Sequence, residues 1–341
     1  MKFLIRADSS TNIGAGHVVR CATLAGQLRL SGHDTTFLSR RCPGNLNDWL
    51  SAAGHKVLAL PSEWHDEQAD AAASLNLLGE EDFDGLVVDH YHLDTAWEKQ
   101  LANRARRTMA IDDLARPHAV DLLLDQNFPN QVQARYQQVV PATCRLLLGP
   151  AYALVRPEFA ASRPAALARR RGQLERLLVC MGGCDAENET TKVLAGIAQS
   201  RQRDLAIDVV IGAGNPHRAV VEAACLKLPR VLLHVQTNRM AELMVAADCA
   251  ITAGGSTTWE RCTLGLPGLV TTVADNQIEI ARAVHDARGH DLLGWYADLA
   301  PWNYALALDN LTADHLYRLS AAAATICDGQ GAARVATCLI N

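Results

Sequence analysis

One pattern constrains this chain more than any other. Short apolar runs, each followed by a loop and a helix-period segment, recur through the first half, break off, and begin again. The first series has apolar runs at 2–7, 34–38, 56–60, 86–89, 108–111 and 122–125. The second has them at 176–181, 206–211, 231–235, 249–252 and 268–273. Helical periodicity from His17 puts Val18, Cys21, Leu24, Ala25 and Leu28 on one face, and Ser31–Gly32–His33 ends it. Strand and helix alternating in this way build parallel sheets with helices on both faces. The expectation is an α/β protein with two Rossmann-like domains. Ligands of such sheets sit beyond the carboxyl ends of the strands, where Asp8, Gly14, Asp89 and Asp112 fall.

The break holds Pro150, Pro157 and Pro164 and an Ala/Arg run ending in Arg169–Arg170–Arg171. It divides the chain into an N-terminal domain over 1–150, a linker over 151–175, a second domain over 176–310 and a helical segment over 311–341. A length of 341 residues suits two domains, and 49% hydrophobic residues supply two cores. The net charge is −5, and the three arginines, the main basic cluster, read as a solvated linker or helix face. No nucleic-acid partner is expected. The apolar N-terminal run is too short for a signal peptide, and no stretch approaches the ~20 apolar residues that span a bilayer. The expectation is a cytoplasmic monomer without stable membrane association. The ten cysteines include no C-x-x-C pair. Cys21, Cys249, Cys262 and Cys338 sit among apolar neighbours and read as core, so neither a metal nor another cofactor is expected.

Five segments carry candidate chemistry. Gly254–Gly255–Ser256–Thr257–Thr258–Trp259–Glu260 follows an apolar run and opens a helix that stops at Gly265, with Pro267 beyond. Its glycines let a ligand approach the backbone, and Ser256 and Thr257 stand beside unpaired helix N–H groups, a seat for a pyrophosphate. Glu260, one turn on, suits ribose hydroxyls; the same residues also read as a Ser cap followed by an exposed Glu. Gly14–Ala15–Gly16–His17 is a glycine turn with a histidine at a helix N-terminus. There the macrodipole disfavours a cationic imidazolium, and a neutral ring can act as a base; a turn followed by a capping His is the plainer reading. Asp89–His90–Tyr91 suits substrate contacts or a buried Asp bonded to backbone. Asp275–Asn276–Gln277 suits sugar hydroxyls or amides, or an Asp cap. Met181–Gly182–Gly183–Cys184–Asp185 is the second domain's counterpart of the first glycine loop, and it too reads equally as a tight turn.

Taken together, Ile5–Arg6–Ala7–Asp8–Ser9–Ser10, Ile13–Gly14–Ala15–Gly16–His17, Asp89–His90–Tyr91, Cys180–Met181–Gly182–Gly183 and Asn276–Gln277 resemble the UDP-2,4-diacetamido-2,4,6-trideoxy-β-L-altropyranose hydrolases of pseudaminic acid biosynthesis. The stretch Gly149–Pro150–Ala151–Tyr152–Ala153–Leu154–Val155–Arg156–Pro157–Glu158–Phe159 is similar to that family's interdomain segment. The resemblance implies a GT-B fold, two Rossmann-like domains across a cleft, with UDP on the C-terminal domain. It puts the catalytic histidine at His17 and the cleft tyrosine and asparagine at Tyr91 and Asn276; Asp8, Gly14, Gly16, Gln277 and Gly183, at strand ends and in the glycine loops, are read beside them as further sugar contacts. It puts UDP at Gly255, Ser256, Thr257 and Glu260, with uracil held largely by backbone near His234 and Val235. The implied reaction is inverting hydrolysis with C–O cleavage, His17 acting as general base and Asp8 orienting its ring or binding the sugar. The full Gly254–Gly255–Ser256 form is closer to related transferases, which keeps a glycosyltransferase using a UDP-amino sugar donor as the alternative. A non-hydrolysing UDP-sugar epimerase and a catalytically inert binding module stand behind it. The C-terminal stretch 311–340 is additional, and in GT-B folds a terminal helix can cross back over the first domain.

Overall fold

The computed structural model describes residues 1–127 and 132–341. The chain divides into two compact units, residues 1–156 with 330–341, and residues 157–329.

The first unit is built on a seven-stranded sheet. Its strands are β1 (Lys2–Ala7), β2 (Asp34–Arg40), β3 (Lys56–Leu60), β4 (Gly85–Asp89), β5 (Thr108–Ile111), β6 (Leu122–Asp125) and β7 (Arg145–Leu148). They lie in the order β3-β2-β1-β4-β5-β6-β7, all parallel. Strands buried on both faces read as continuous apolar runs, and β4, β5 and β6 are buried throughout. Alternation along β1 then feeds two cores. Phe3 and Ile5 face the helix Gly16–Leu30. Leu4 joins Leu38, Val88 and Trp97 on the other face.

The second unit has a six-stranded sheet. Its strands are β8 (Arg176–Cys180), β9 (Ala206–Ile211), β10 (Val231–Val235), β11 (Cys249–Ala253), β12 (Gly268–Thr272) and β13 (Asp291–Trp295). They are parallel in the order β10-β9-β8-β11-β12-β13. Both sheets start in the middle and wind outward both ways. Each has a switch point where the crossover direction reverses, between β1 and β4 and between β8 and β11.

Three features differ from the sequence reading. The expected linker is mostly helix, Pro157–Arg169, within the second unit. Pro157 starts it at a position where a missing N–H costs nothing, and Pro164 is tolerated inside it. The arginine triplet is not a solvated face throughout. Arg170 is buried, and its guanidinium donates to the carbonyls of Met244, Ala247 and Leu264, the ends of two helices, where a cation is favoured. The C-terminal segment is divided. Ala313–Ile326 stays with the second unit, while Gly331–Ile340 packs Val335, Ala336 and Leu339 into the core of the first. This is the crossing back that the resemblance allows. β7 and β13 add an edge strand to each sheet beyond the runs expected from the sequence, β13 carrying Gly294 and a break in register.

All ten cysteines are unpaired, and Cys21, Cys249, Cys262 and Cys338 are buried as expected. No helix among the described residues is long and apolar enough to cross a membrane.

Candidate active site

In the first unit the loop between β1 and its helix is shaped by Ser10. Its carbonyl accepts from Gly14 N at 2.8 Å and its Oγ from Ile13 N at 2.9 Å. Gly14 has a φ of +81°, which a side chain would strain. Gly16 is exposed with open space where a Cβ would stand. The helix begins there, bringing His17 to the switch point beside the end of β4.

His17 Nδ1 lies 2.6 Å from Asp89 Oδ1. Arg20, three residues on along the same helix, grips that carboxylate with both arms, Nε to Oδ2 and Nη2 to Oδ1, each at 2.6 Å. Arg20 Nη2 is also 3.2 Å from His17 Nδ1. Nδ1 cannot serve as acceptor from Arg20 and donor to Asp89 at once. The shorter, charge-assisted contact decides, so Nδ1–H donates to Asp89 and Nε2 is left with its lone pair. Nε2 has no hydrogen bond among the described residues. Burial would push the Asp89 carboxyl upward, but Arg20 and then His17 outweigh it and hold it well below the ordinary carboxylate range. Asp89 is therefore a fixed anion behind the ring.

Tyr91 sets its ring edge-on to His17, centroids 4.7 Å apart. Its hydroxyl points to Asp113 Oδ2 at 3.4 Å. Arg116 fixes the loop bearing Tyr91 by donating to the carbonyls of His90, Tyr91 and Leu93, at 3.1, 3.0 and 2.9 Å, while Asp112 holds its Nε at 2.7 Å. Asp89 is buried as the plainer reading had it, but side chains rather than backbone hold it.

Asp8 does not orient His17. It is buried, bonded by both arms of Arg6, by Arg40 N at 2.7 Å and by His90 Nε2 at 3.3 Å. Arg6 and Arg40 also pair with Asp70, which accepts from Trp97 Nε1 as well. Burial holds the His90 imidazole below its ordinary range. Its Nδ1 accordingly accepts from His92 N, which leaves the proton on the nitrogen facing Asp8.

In the second unit Gly182–Gly183 follows β8, Gly254–Gly255–Ser256 follows β11, and Asp275–Asn276–Gln277 follows β12, three neighbouring strands. Gly183 is fixed by Gly212, whose N–H donates to its carbonyl at 3.0 Å. Asp185 caps the helix Glu189–Gln199 through Glu189 N and Thr190 N. The helix after Gly255 runs Thr257–Thr263 and ends before Gly265, whose φ is +55°. Ser256 occupies the cap position, but its side chain makes no capping bond and is exposed. The plainer capping role is thus not taken up. Thr257 and Glu260 are half-buried on the first turn. Glu260 and Asp185 both act on the Cys180 thiol at the end of β8, which burial pushes up to about 11. Gln277 is partly structural: its Oε1 accepts from Val273 N at 3.0 Å, and its amide nitrogen lies against Gly255. Asp275 and Asn276 are exposed. His234 is committed to Asp208 at 2.8 Å, an acid shared with Arg176, which leaves the backbone near Val235 for any base contact.

Sequence reading missed Arg20, and it placed Asp113 beside Asp112 at the end of the 108–111 run without giving it a role. Arg20 carries a usable signal, since it lies three residues from His17 in a helix. For Asp113 the strand end is visible but the partner is not, because its meeting with Tyr91 depends on β4 and β5 being neighbours.

No family model matches the chain. In sequence it is 28% identical over 257 residues to the UDP-2,4-diacetamido-2,4,6-trideoxy-beta-L-altropyranose hydrolase of Campylobacter jejuni, covering 75% of this chain and 86% of that protein. It is 33% identical over 153 residues to the spore coat polysaccharide biosynthesis protein SpsG of Bacillus subtilis, 45% of this chain and 44% of the other. Among solved structures it superposes on MurG of Acinetobacter baumannii with a TM-score of 0.73 at 13% identity, over 100% of this chain and 99% of that one. With UGT89C1 of Arabidopsis thaliana complexed with UDP the TM-score is 0.67 at 13% identity, over the full length of both. The fold is therefore the GT-B fold of these glycosyltransferases, and the sequence resemblance to the hydrolase extends over three quarters of the chain.

Proposed function

We propose that the chain hydrolyses UDP-2,4-diacetamido-2,4,6-trideoxy-β-L-altropyranose to UDP and the free sugar, with inversion, in pseudaminic acid biosynthesis. The observation that carries this reading is His17, with Nδ1 tied to a buried anion and Nε2 left without a bond. The sequence likeness to the Campylobacter jejuni hydrolase supplies the substrate class. Water attacks the anomeric carbon as His17 Nε2 takes its proton, a general-base contribution of roughly 10²–10⁴-fold. The anomeric C–O bond breaks and UDP leaves with the electron pair. Asp89 stabilises the imidazolium so formed. UDP is a good leaving group, so no second carboxylic acid is needed of the kind paired-carboxylate glycosidases use. The N–H groups at Ser256 and Thr257 are assigned to the diphosphate, Glu260 to the ribose, and the backbone near Val235 to uracil. Tyr91, Gly14, Gly16, Gly183, Asn276 and Gln277 are assigned to the sugar. Asp8 acts on it indirectly, by holding the ends of β1 and β2.

The MurG-like fold favours a second reading, transfer from a UDP-amino sugar donor. A proton NMR time course with the UDP-sugar, a chelator and no acceptor separates the two. Joint appearance of UDP and free sugar, the first-formed anomer inverted, and its loss in His17→Ala with UDP binding kept, is the expected result. Turnover only when an acceptor is added would establish the transferase instead.

A further inference from the structure

We infer that Arg20 is a positioning residue of this site, holding Asp89 so that His17 keeps its proton on Nδ1 and its base on Nε2. The inference rests on the hydrolytic role proposed for His17 and adds to it the group that sets the ring's state.

Three observations carry it. Arg20 meets Asp89 as a fork, Nε on one oxygen and Nη2 on the other, both at 2.6 Å. A bidentate guanidinium fixes the plane of a carboxylate, which a single-point contact does not. The oxygen that Nη2 holds is the one that accepts from His17. The orientation of the ring thus follows from the orientation of the fork. Asp89 is fully buried, so its carboxylate depends on the side chains around it, and Arg20 is the cation that holds both of its oxygens. The groups facing the imidazole are Arg20 and Cys21 of its own helix, Asp89 at the end of β4, and Tyr91 beyond it. Asp113, after β5, reaches Tyr91 through a hydrogen bond and Arg20 through its charge. Among them Arg20 is the cation.

Two substitutions separate geometry from charge. Arg20→Lys keeps the cation and loses the fork. It should lower kcat by roughly 10²-fold, the cost of a misplacement of about 1 Å. Arg20→Gln loses the cation. Its fall in kcat should be at least as large as that of Arg20→Lys, because the fork is lost together with the charge. UDP affinity, measured by calorimetry, should stay unchanged in both, since the nucleotide is assigned to the other unit. Nitrogen-15 shifts of the His17 ring give a readout that needs no substrate: the Nδ1–H tautomer in the parent protein and a mixture in Arg20→Lys. Should Arg20→Gln fail to fold, Arg20→Lys decides through its tautomer and its kcat. Unchanged kcat and tautomer in Arg20→Lys would overturn the inference, as would a fall in UDP affinity parallel to the fall in kcat. A tautomer change in Arg20→Lys together with an inactive parent protein would refute the hydrolytic reading while upholding Arg20's hold on the ring.

Discussion

Replacing Asp89 with Asn tests the arrangement at its centre. The carboxylate takes four contacts: His17 Nδ1 and Arg20 Nη2 on Oδ1, and Arg20 Nε and Cys21 Sγ on Oδ2. An amide has one acceptor oxygen and one donor nitrogen. Turned either way, its NH2 group meets an N–H of Arg20, and in one of the two orientations it also meets the ring. The electrostatic loss can be sized. At an effective dielectric of ~20, opposite charges about 4 Å apart attract by about 4 kcal/mol. That attraction is made only once His17 has become an imidazolium, so it lowers the barrier rather than aiding binding. At 1.36 kcal/mol per tenfold, its loss slows turnover roughly 10³-fold. A wrong tautomer behind a catalytic histidine costs roughly 10⁴-fold in the serine-protease triad, so the two estimates bracket the effect. Leaving Arg20 without its partner also destabilises the first unit. Breaking a buried pair costs about 3–5 kcal/mol, and the lower end applies because the Arg20 side chain keeps 14% exposure. The assay is UDP release under saturating substrate, with UDP affinity measured separately. The expectation is kcat down 10³–10⁴-fold with UDP affinity unchanged. An Asp89→Asn protein retaining a tenth of the parent kcat would refute both the base role of His17 and the part assigned to Asp89.

Three further outcomes follow from the packing. Gly331→Ala would place a Cβ onto the backbone of Tyr152 and Ala153, lifting the closing helix off the first unit; a drop of several degrees in the melting of that unit, resolved by hydrogen exchange, is expected, and unchanged protection of β1 would contradict it. Gly212→Ala would push its Cβ into the Gly183 carbonyl, whereas Gly214 has open space, so weaker substrate binding is expected from the first substitution and parent-like binding from Gly214→Ala. His118 sits between Glu98 and Asp112; burial opposes its charge, but the two carboxylates win and raise it to about 9. A raised folded value means that its contribution, of order 2–3 kcal/mol, is complete below about pH 6.5 and is lost as pH rises through 9. The stability gap between the parent and His118→Gln should therefore close between pH 7 and 10, and a gap that stays constant would show that His118 is not charged in the fold.

What could be read in the sequence was whatever is local. Apolar runs gave the strands, the glycine at 14 and the helix behind it gave His17 its place, and Gly265 with Pro267 gave the end of the Ser256 helix. Arginines were harder. Arg169–Arg170–Arg171 looks solvated because a charge is assumed to need water or an acid, yet helix carbonyl ends suffice for Arg170. The acids at strand ends were flagged as a set, and their division of labour was not legible. Asp8 and Asp89 each close an apolar run, but one belongs to a buried ion cluster and the other to the histidine. His17 and Asp89 are 72 residues apart, with β2 and β3 between them in the chain. They meet because the sheet reverses at β1, so that β4 lies against it. A chain that wound in one direction only would leave Asp89 three strands away, with β2 and β3 between, and with the same residues and the same local signals. The pairing is thus a property of strand order: in a sheet ordered 3-2-1-4, a histidine after the first strand should be matched first with the residue that ends the fourth.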